Sequence, residues 1–293
     1  MSKAHPPGAV LAIDLGGTHL RTAVARTWVE LDAPLNAERE ATQAHDPASQ
    51  IRHVVLETVR QHGPLRRVVI GLPGAVHGGQ IYDAPNLSTL QGAEVLTALR
   101  ATLPCPVTFV NDCNLAALGE LQGSDSAGDL AFIAIGTGLG AGLVRAGRIM
   151  AGAHGQAGEF GLLPLPGALA HTGAVLEDLL SGPGIQRRFT ALGGGGDALT
   201  SGDEAGRTLR GELQRALADL LRVVTLSFDP RQIVFGGGVG LQLGTLIEAA
   251  WQEVRNVVGH VPRPTLSRYG DHAALVGGLH LALAADGGEY GQD

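Results

Sequence analysis

The feature that most constrains this chain is a pattern that occurs twice, in which an apolar strand leads through a glycine-rich turn into a second apolar strand. Residues 10–14 (VLAID) lead into the turn at residues 15–18, and residues 130–135 (LAFIAI) lead into the turn at residues 136–140. Apolar and β-branched residues continue after both turns, which indicates β-hairpins. The repetition is loose, and it predicts two similar α/β lobes rather than a solenoid.

Strands and helices alternate along the rest of the chain. Residues 28–33 are predicted to add a third strand to the first hairpin, and Asp46 and Pro47 are typical of the start of a helix. Buried strands are predicted at residues 67–72 and 107–110, and a long amphipathic helix at residues 204–227. This order favours parallel sheets joined by crossover helices.

Glycine is unusually frequent, with 44 glycines among 293 residues, and the glycines are not periodic. They cluster where apolar strands end, which is where a backbone can approach a ligand closely. Four such clusters in one chain suggest a large anionic ligand held from several sides.

Charge and composition exclude several classes of function. The net charge of -7 argues against nucleic acids or anionic membranes as partners. No signal peptide and no apolar run of about 18 residues is found, so we expect a cytoplasmic protein without membrane partners. Two cysteines, Cys105 and Cys113, argue against a disulfide framework and are too few for a four-cysteine zinc site.

The two glycine turns are suited to phosphate. Asp14 ends a strand before Gly16, Gly17 and Thr18, so its carboxylate could hold a hydrated Mg²⁺ while backbone N–H groups contact phosphate oxygens. The turn at residues 136–140 (GTGLG) could bind phosphate in the same way. Either turn alone could be an ordinary hairpin turn. Together, on two facing lobes, they predict a cleft for a nucleotide.

Three further segments carry candidate ligands. Asp112 follows a strand and could act as a general base, or it could simply cap the helix that follows. Glu159 and Glu177 could accept hydrogen bonds from pairs of hydroxyl groups, although Glu159 taken alone is better interpreted as a turn carboxylate. Glycines 236–238 end a strand ahead of a helix and could contact adenosine or form a tight turn.

These motifs, in this order, resemble the ROK family of sugar kinases, and the glucokinase-like members most. The resemblance covers nearly the whole chain and rests on residues 14–18, 71–74, 86–87, 111–120, 136–140 and 157–161. It implies an α/β, two-lobed, actin-like ATPase fold of the ribonuclease H-like type, with a ligand cleft between the lobes. The small lobe would comprise residues 1–114, completed by a C-terminal helix at about 272–288, and the large lobe residues 115–271.

The resemblance implies Mg²⁺- and ATP-dependent phosphorylation of a hexose hydroxyl, with the 6-hydroxyl of glucose as first choice, in a homodimer. Asp112 would be the base. The phosphate- and Mg²⁺-binding residues would be Asp14, Gly16, Gly17, Thr18, Gly136, Thr137 and Gly138. Adenosine would contact Gly236, Gly237 and Gly238. The sugar ligands would be Asn86, Asn111, Asp112, Glu159 and Glu177.

The chain departs from the family at its zinc site. Leu162 stands where the family has a histidine that binds zinc and sugar, and residues 161–177 contain no cysteine. We therefore predict no structural zinc. Leucine cannot bond a hydroxyl, so the sugar could differ from glucose or bind weakly, and His171 is a poor candidate to replace the lost contact.

Two other functions stay open. A non-catalytic sugar sensor is the alternative, although we expect the thirteen residues before Asp14 to be too few for a DNA-binding domain. Polyphosphate could replace ATP as donor, but no cluster of Lys or Arg lies beside the phosphate turns to bind it. N-acetyl sugars, fructose, mannose and allose remain possible substrates.

Overall fold

The computed structural model describes residues 8–31, 35–82, 84–92, 94–122, 124, 128–165 and 173–284. The chain divides into two compact units. The first unit comprises Met1–Gly123, Ile149–Ala157 and His272–Asp293, and the second comprises Ser124–Arg148 and Gly158–Asp271.

The strands of the described residues are β1 (Ala9–Leu15), β2 (His19–Ala25), β3 (Ala37–Ala41), β4 (Leu65–Leu72), β5 (Ala75–His77), β6 (Gln80–Tyr82), β7 (Val107–Asn111), β8 (Leu130–Ile135), β9 (Leu139–Arg145), β10 (Arg148–Ile149), β11 (Gln232–Gly236) and β12 (Thr265–Leu266). The α-helices are α1 (Pro47–His62), α2 (Val95–Thr102), α3 (Asp112–Leu121), α4 (Gly182–Ala191), α5 (Glu204–Phe228), α6 (Gly244–Val258) and α7 (Ala273–Ala284). Short 3-10 helices lie at Trp28–Leu31, Pro85–Leu90, Phe160–Leu162, Leu176–Asp178, Gly240–Gln242 and Gly270–His272.

Each unit contains a five-stranded sheet, and the two sheets follow the same plan. The order is β3-β2-β1-β4-β7 in the first unit and β10-β9-β8-β11-β12 in the second. In both, an antiparallel hairpin (β1–β2 or β8–β9) precedes parallel strands that arrive after helical crossovers. The two similar α/β lobes predicted from the repeated strand–turn–strand pattern are confirmed at the level of topology.

Helix α7 forms part of the core of the first unit. It is apolar on all sides and buried over most of its length, and it packs against α3 and β1. Glycines allow the two helices to approach at backbone distance. A Cβ atom on Gly119 of α3 would collide with the carbonyl oxygen of Ala273, and one on Gly277 of α7 with that of Leu115. Helix α3 is therefore held closely in place by α7.

The prediction of a third strand at residues 28–33 is wrong. Trp28–Leu31 is a 3-10 helix, and the third strand is Ala37–Ala41. The chain curls because the Glu30 carboxylate accepts hydrogen bonds from the backbone N–H of Arg26 (2.9 Å) and the hydroxyl of Thr27 (3.3 Å). Such local side-chain bonds compete with strand formation.

Two predicted helices are confirmed closely. Helix α1 has Asp46 as its N-cap, whose side chain accepts from the N–H of Ser49 at 3.1 Å, and Pro47 stands in the first turn. Helix α5 covers the predicted long amphipathic segment and is capped by Asp203, which accepts from the N–H of Gly206 at 2.7 Å.

Candidate active site

In the first unit, three strand ends bring candidate residues side by side. Asp14 of β1 pairs with Gly71 of β4, and Gly71 pairs with Val110 of β7, so Asn111 and Asp112 follow at the same edge. A Cβ atom on Gly71 would lie 3.5 Å from the carbonyl oxygen of Ile13 and 3.6 Å from the Cα of Asp112. Because parallel strands end at one edge, the sheet places Asp14 and Asp112 on either side of a glycine.

Asp112 is the first residue of α3 but does not cap it. The N-cap is Asn111, whose Oδ1 accepts from the N–H of Asn114 at 2.9 Å. The alternative that Asp112 is merely the helix cap is therefore wrong, since a neighbouring residue performs that task. The carboxylate remains at the helix N-terminus, where negative charge is favoured.

Burial raises the pKa of the Asp112 carboxyl above its ordinary value, and a hydrogen bond from the backbone N–H of Cys113 to Oδ1, 2.7 Å long, partly opposes this rise. A raised pKa makes a carboxylate more basic. General bases work best when their pKa approaches the working pH. The environment of Asp112 is thus suited to accepting a proton.

The side chain of Asn111 is used twice within the first unit. Besides capping α3, its Nδ2 donates to the carbonyl oxygen of Gly74 at 3.0 Å. Gly74 belongs to the turn after β4, so Asn111 ties the start of α3 to that turn. Its role as a sugar ligand stays a prediction.

The first glycine turn, at residues 15–18, is held on one side by hydrogen bonds from Thr42. The hydroxyl of Thr42 donates to the carbonyl of Gly16 at 2.7 Å, and the N–H of Thr42 donates to the carbonyl of Thr18 at 3.0 Å. Gly17 and Thr18 stay exposed to solvent. The turn therefore has a fixed inner side and an accessible outer side, as a phosphate-binding turn requires.

Asp14 is only 8% exposed and forms an ion pair with Arg21, whose Nη1 lies 3.2 Å from Oδ2 of Asp14. The two residues are directly opposite in the β1–β2 hairpin. Carboxylate oxygens are the ligands that Mg²⁺ prefers, and a guanidinium beside them suits phosphate, so this donor set fits a Mg²⁺-nucleotide. Arg21 was absent from the predicted site, although the hairpin register would have indicated it.

In the second unit, the turn at residues 136–138 is closed by its own backbone and held from two sides. The N–H of Gly136 donates to the carbonyl of Gly138 at 2.9 Å, and the N–H of Gly182 donates to the carbonyl of Gly136 at 2.8 Å. The carboxylate of Glu177 accepts from the N–H of Leu139 at 2.8 Å. Thr137, at the tip, is exposed.

The glycines after β11 lie against this same turn. Gly237 has a φ of +77°, and a Cβ atom there would collide with the carbonyl of Ile135, the residue before Gly136. The N–H of Val239 donates to that carbonyl at 3.1 Å. Gly236, Gly237 and Gly238 are thus adjacent to the second glycine turn, while their contact with adenosine stays a prediction.

Glu159 and Leu162 belong to one 3-10 turn of the second unit. Glu159 precedes Phe160–Leu162, and the side chain of Leu162 is 62% exposed. Within the described residues, no group of three His, Cys, Asp or Glu side chains is arranged to hold a metal ion. The predicted absence of zinc stays a prediction.

A backbone ladder joins the two sides of the segment that includes residues 166–172. The N–H of Leu165 donates to the carbonyl of Ala174 at 3.0 Å, and the N–H of Leu176 donates to the carbonyl of Leu163 at 2.7 Å. Pro164 and Val175 form the bridge between them. This ladder fixes the start of the turn that presents Glu177.

Two candidate residues cannot be placed. The side chain of Asn86 and the whole of His171 lie outside the described residues.

The structure also adds three residues that the sequence analysis did not name, Arg21, Thr42 and Gly182. Thr42 acts through its hydroxyl and its N–H, and Gly182 through its N–H, on turns that are distant in the sequence, so the sequence has no local signal for either. In the part of the chain that the structure describes, no helix is long and apolar enough to cross a membrane.

Comparisons with known proteins show what this chain is similar to. The model of the ROK family matches residues 10–285. The bifunctional enzyme NanE/NanK of Brucella melitensis is 30% identical over 96% of this chain, but the chain spans only 55% of that protein, about half its length. The N-acetylmannosamine kinase of Salmonella typhimurium is 28% identical, over 93% of this chain and 97% of its own.

A solved structure shows the same fold. The ROK hexokinase from Thermus thermophilus superposes with a TM-score of 0.78 and 27% identity, over 96% of this chain and all of its own. This chain therefore shares its α/β architecture, as predicted, with a hexokinase of known structure.

Proposed function

The chain belongs to the ROK family, and from this premise we propose that it is an ATP-dependent sugar kinase that phosphorylates the 6-hydroxyl of a hexose. ROK kinases have the two-lobed, actin-like ATPase fold, which the resemblance to this family implied for this chain. The observation that carries the proposal is the pair of carboxylates, Asp14 and Asp112, at one edge of the first sheet on either side of Gly71. Asp14 is suited to holding the metal ion that accompanies the phosphates, and Asp112 is suited to accepting the proton of the sugar hydroxyl.

Asp112 is the proposed base. As the sugar oxygen forms its bond to the γ-phosphorus of ATP, the bond from that phosphorus to the bridging oxygen breaks, and ADP leaves. The hydroxyl proton passes to the Asp112 carboxylate, whose raised pKa favours accepting it. The rest of the barrier is lowered by positioning and by neutralising charge.

The phosphates are proposed to meet the exposed outer sides of the two glycine turns. Asp14, Gly16, Gly17 and Thr18 would form one such surface, and Gly136, Thr137 and Gly138 the other. Bound Mg²⁺ neutralises charge on the phosphate oxygens, and Asp14 is the residue proposed to hold it. Arg21, paired with Asp14 at 3.2 Å, fixes the orientation of that carboxylate. Gly236, Gly237 and Gly238 are proposed to lie along the adenosine.

Asn86, Asn111, Asp112, Glu159 and Glu177 are the proposed sugar ligands. Glucose is the first candidate substrate, as expected from the sequence. N-acetylmannosamine is the second, and the similarity to N-acetylmannosamine kinases of comparable length favours it. The exposed Leu162 stands where the family has a sugar-binding histidine, so this set lacks that contact. The choice of sugar therefore depends on the remaining ligands.

Three properties complete the proposal. The lobes are proposed to be residues 1–114 with about 272–288, and residues 115–271, whereas the two compact units group residues 115–123 and 149–157 with the first of these. The protein would be a cytoplasmic homodimer, and it would need no zinc.

A coupled assay of ADP release, with Mg²⁺-ATP and a panel of glucose, mannose, fructose, allose and N-acetylmannosamine, tests the proposal. Turnover on one sugar or a few is expected, with polyphosphate a poor substitute for ATP. If folded protein binds a sugar but releases no ADP with any of them, the chain is a sugar sensor and the proposal is wrong.

A further inference from the structure

Glu177 lies against a phosphate turn as well as in the segment assigned to the sugar. Its Oε2 accepts a hydrogen bond of 2.8 Å from the N–H of Leu139, the residue that follows the glycine turn and begins β9. A Cβ atom on Gly138 would stand 2.7 Å from the same oxygen. The carboxylate therefore occupies the space that a side chain at residue 138 would need.

The backbone around Glu177 is itself fixed. On its N-terminal side, the N–H of Leu176 donates to the carbonyl of Leu163 at 2.7 Å. On its C-terminal side, the carbonyl of Glu177 accepts from the hydroxyl of Ser181 at 2.7 Å, and Ser181 caps α4. The glutamate thus extends from an anchored turn and does not rely on the glycine turn for its own position.

The contact is reinforced by a second attachment nearby. Gly182, at the start of α4, donates its N–H to the carbonyl of Gly136 at 2.8 Å. The turn at residues 136–139 is therefore tied at both ends to the same short stretch, residues 177–182. A glycine-rich turn loses much conformational freedom when it is ordered, so such ties decide whether it is ready to bind.

We propose that Glu177 is a positioning residue for the phosphate turn, in addition to its proposed place among the sugar ligands. This inference rests on the proposed function, because it assigns a nucleotide to that turn. The Glu177 carboxylate holds the turn by accepting a hydrogen bond from the N–H of Leu139. Hydrogen bonds to charged acceptors are stronger than those between neutral groups. The exposed side chain keeps the carboxylate accessible to a ligand as well.

The charge of Glu177 complicates a simple deletion, because a carboxylate beside a phosphate turn repels phosphate. Two uncharged variants remove this effect. Glu177→Gln keeps an oxygen that can accept from the Leu139 N–H, whereas Glu177→Ala does not. Comparing these two variants isolates the hydrogen bond. We expect Glu177→Ala to bind a non-hydrolysable ATP analogue with Mg²⁺ about tenfold more weakly than Glu177→Gln, equivalent to about 1.4 kcal/mol.

Amide hydrogen exchange of residues 136–140, measured by mass spectrometry on the sugar-free protein, gives a readout that needs neither turnover nor nucleotide. Exchange should be faster in Glu177→Ala than in wild type and should return towards wild type in Glu177→Gln. Glu159→Ala is the matched control. It removes another proposed sugar ligand and should raise the sugar KM without changing exchange at residues 136–140 or nucleotide affinity.

A third variant tests the contact from the other side. Gly138→Ala places a methyl group 2.7 Å from the oxygen of Glu177, so it should weaken nucleotide binding in wild type. The loss should be smaller when Glu177→Ala is also present, since the opposing group is gone. Equal losses in the two backgrounds would count against the inference.

The outcomes separate the two proposals. If Glu177→Ala and Glu177→Gln have the same exchange rates and the same nucleotide affinity, Glu177 does not position the turn and the inference is refuted. If wild-type protein binds no nucleotide, the proposed function fails. The exchange measurement then decides separately whether Glu177 orders the turn, and unchanged exchange in Glu177→Ala overturns that part too.

Discussion

Asp112→Asn is the substitution that separates catalysis from folding in this chain. Asparagine has nearly the same shape as aspartate and can still accept the hydrogen bond from the N–H of Cys113, which is 2.7 Å long in wild type. It cannot accept a proton from a hydroxyl group. Since Asn111 caps α3, the helix keeps its cap in the variant.

The expected loss of kcat is about 10²- to 10⁴-fold, the range for removal of a general base. At about 1.4 kcal/mol for each factor of ten, this amounts to roughly 3 to 5.5 kcal/mol of transition-state stabilisation. The Kd for sugar and for nucleotide should change much less, because the introduced asparagine would fill the same space and form the same backbone contact.

Although Asp112→Asn should lower kcat, it should not lower the stability of the folded protein at neutral pH. The pKa of Asp112 in the folded protein is raised above its ordinary value of 3.8, so the folded state binds this proton more tightly than the unfolded state. The stabilisation from this group is complete below pH 3.8 and is lost as the pH rises through the raised pKa. At about pH 7 the Asp112→Asn variant should therefore be at least as stable as wild type.

Steady-state kinetics and thermal unfolding, both measured from about pH 5 to 8, test this reasoning. In wild type, kcat/KM should fall on the acidic side as Asp112 becomes protonated, and the fall should disappear in the variant. Asp203→Asn is the control. Asp203 caps α5, its pKa is lowered chiefly by the hydrogen bond from the N–H of Gly206, and its substitution should leave kcat unchanged. A fully active Asp112→Asn enzyme would refute the assignment of the base.

Three further predictions concern folding and metal content. Gly277→Ala should lower the unfolding free energy by about 1–3 kcal/mol, because its methyl group would force α7 away from Leu115 of α3. Gly211→Ala in α5, where the added methyl group has open space, should stabilise the protein slightly, and equal effects of the two substitutions in thermal melts would contradict this. Asn111→Ala should cost about 1 kcal/mol by loss of the α3 cap, and Asn111→Ser should recover most of it in urea unfolding. A zinc chelator added in the presence of excess Mg²⁺ should not change activity, since a backbone ladder holds the segment before Glu177; chelator-sensitive turnover would reveal a metal site.

Local sequence signals predicted the elements of the fold well. Asp46 and Pro47 indicated the start of α1, and the leucine spacing indicated α5, because caps and helical periodicity act within a few residues. The third strand was misplaced because bonds to Glu30 curl residues 28–31 into a 3-10 helix. Apolar composition alone does not reveal such a turn.

The contacts around the candidate site were harder to predict. Strand ends and glycines identified Asp14, Asp112 and the two turns as residues of interest. The residues that hold them lie far away in the sequence: Thr42 is 26 residues from Gly16, and Glu177 is 38 residues from Leu139. Such pairs form only when the sheet has assembled, so they follow from topology rather than from local pattern.

The most direct test of the account is a ³¹P NMR spectrum of the protein with Mg²⁺-ATP and, in separate samples, glucose and N-acetylmannosamine labelled with ¹³C at C6. The account predicts that ATP is converted to ADP and that a new phosphomonoester signal appears, coupled to the labelled C6 of at least one of the two sugars. Conversion of ATP without a sugar phosphate, or no conversion at all by protein that binds sugar, would contradict it.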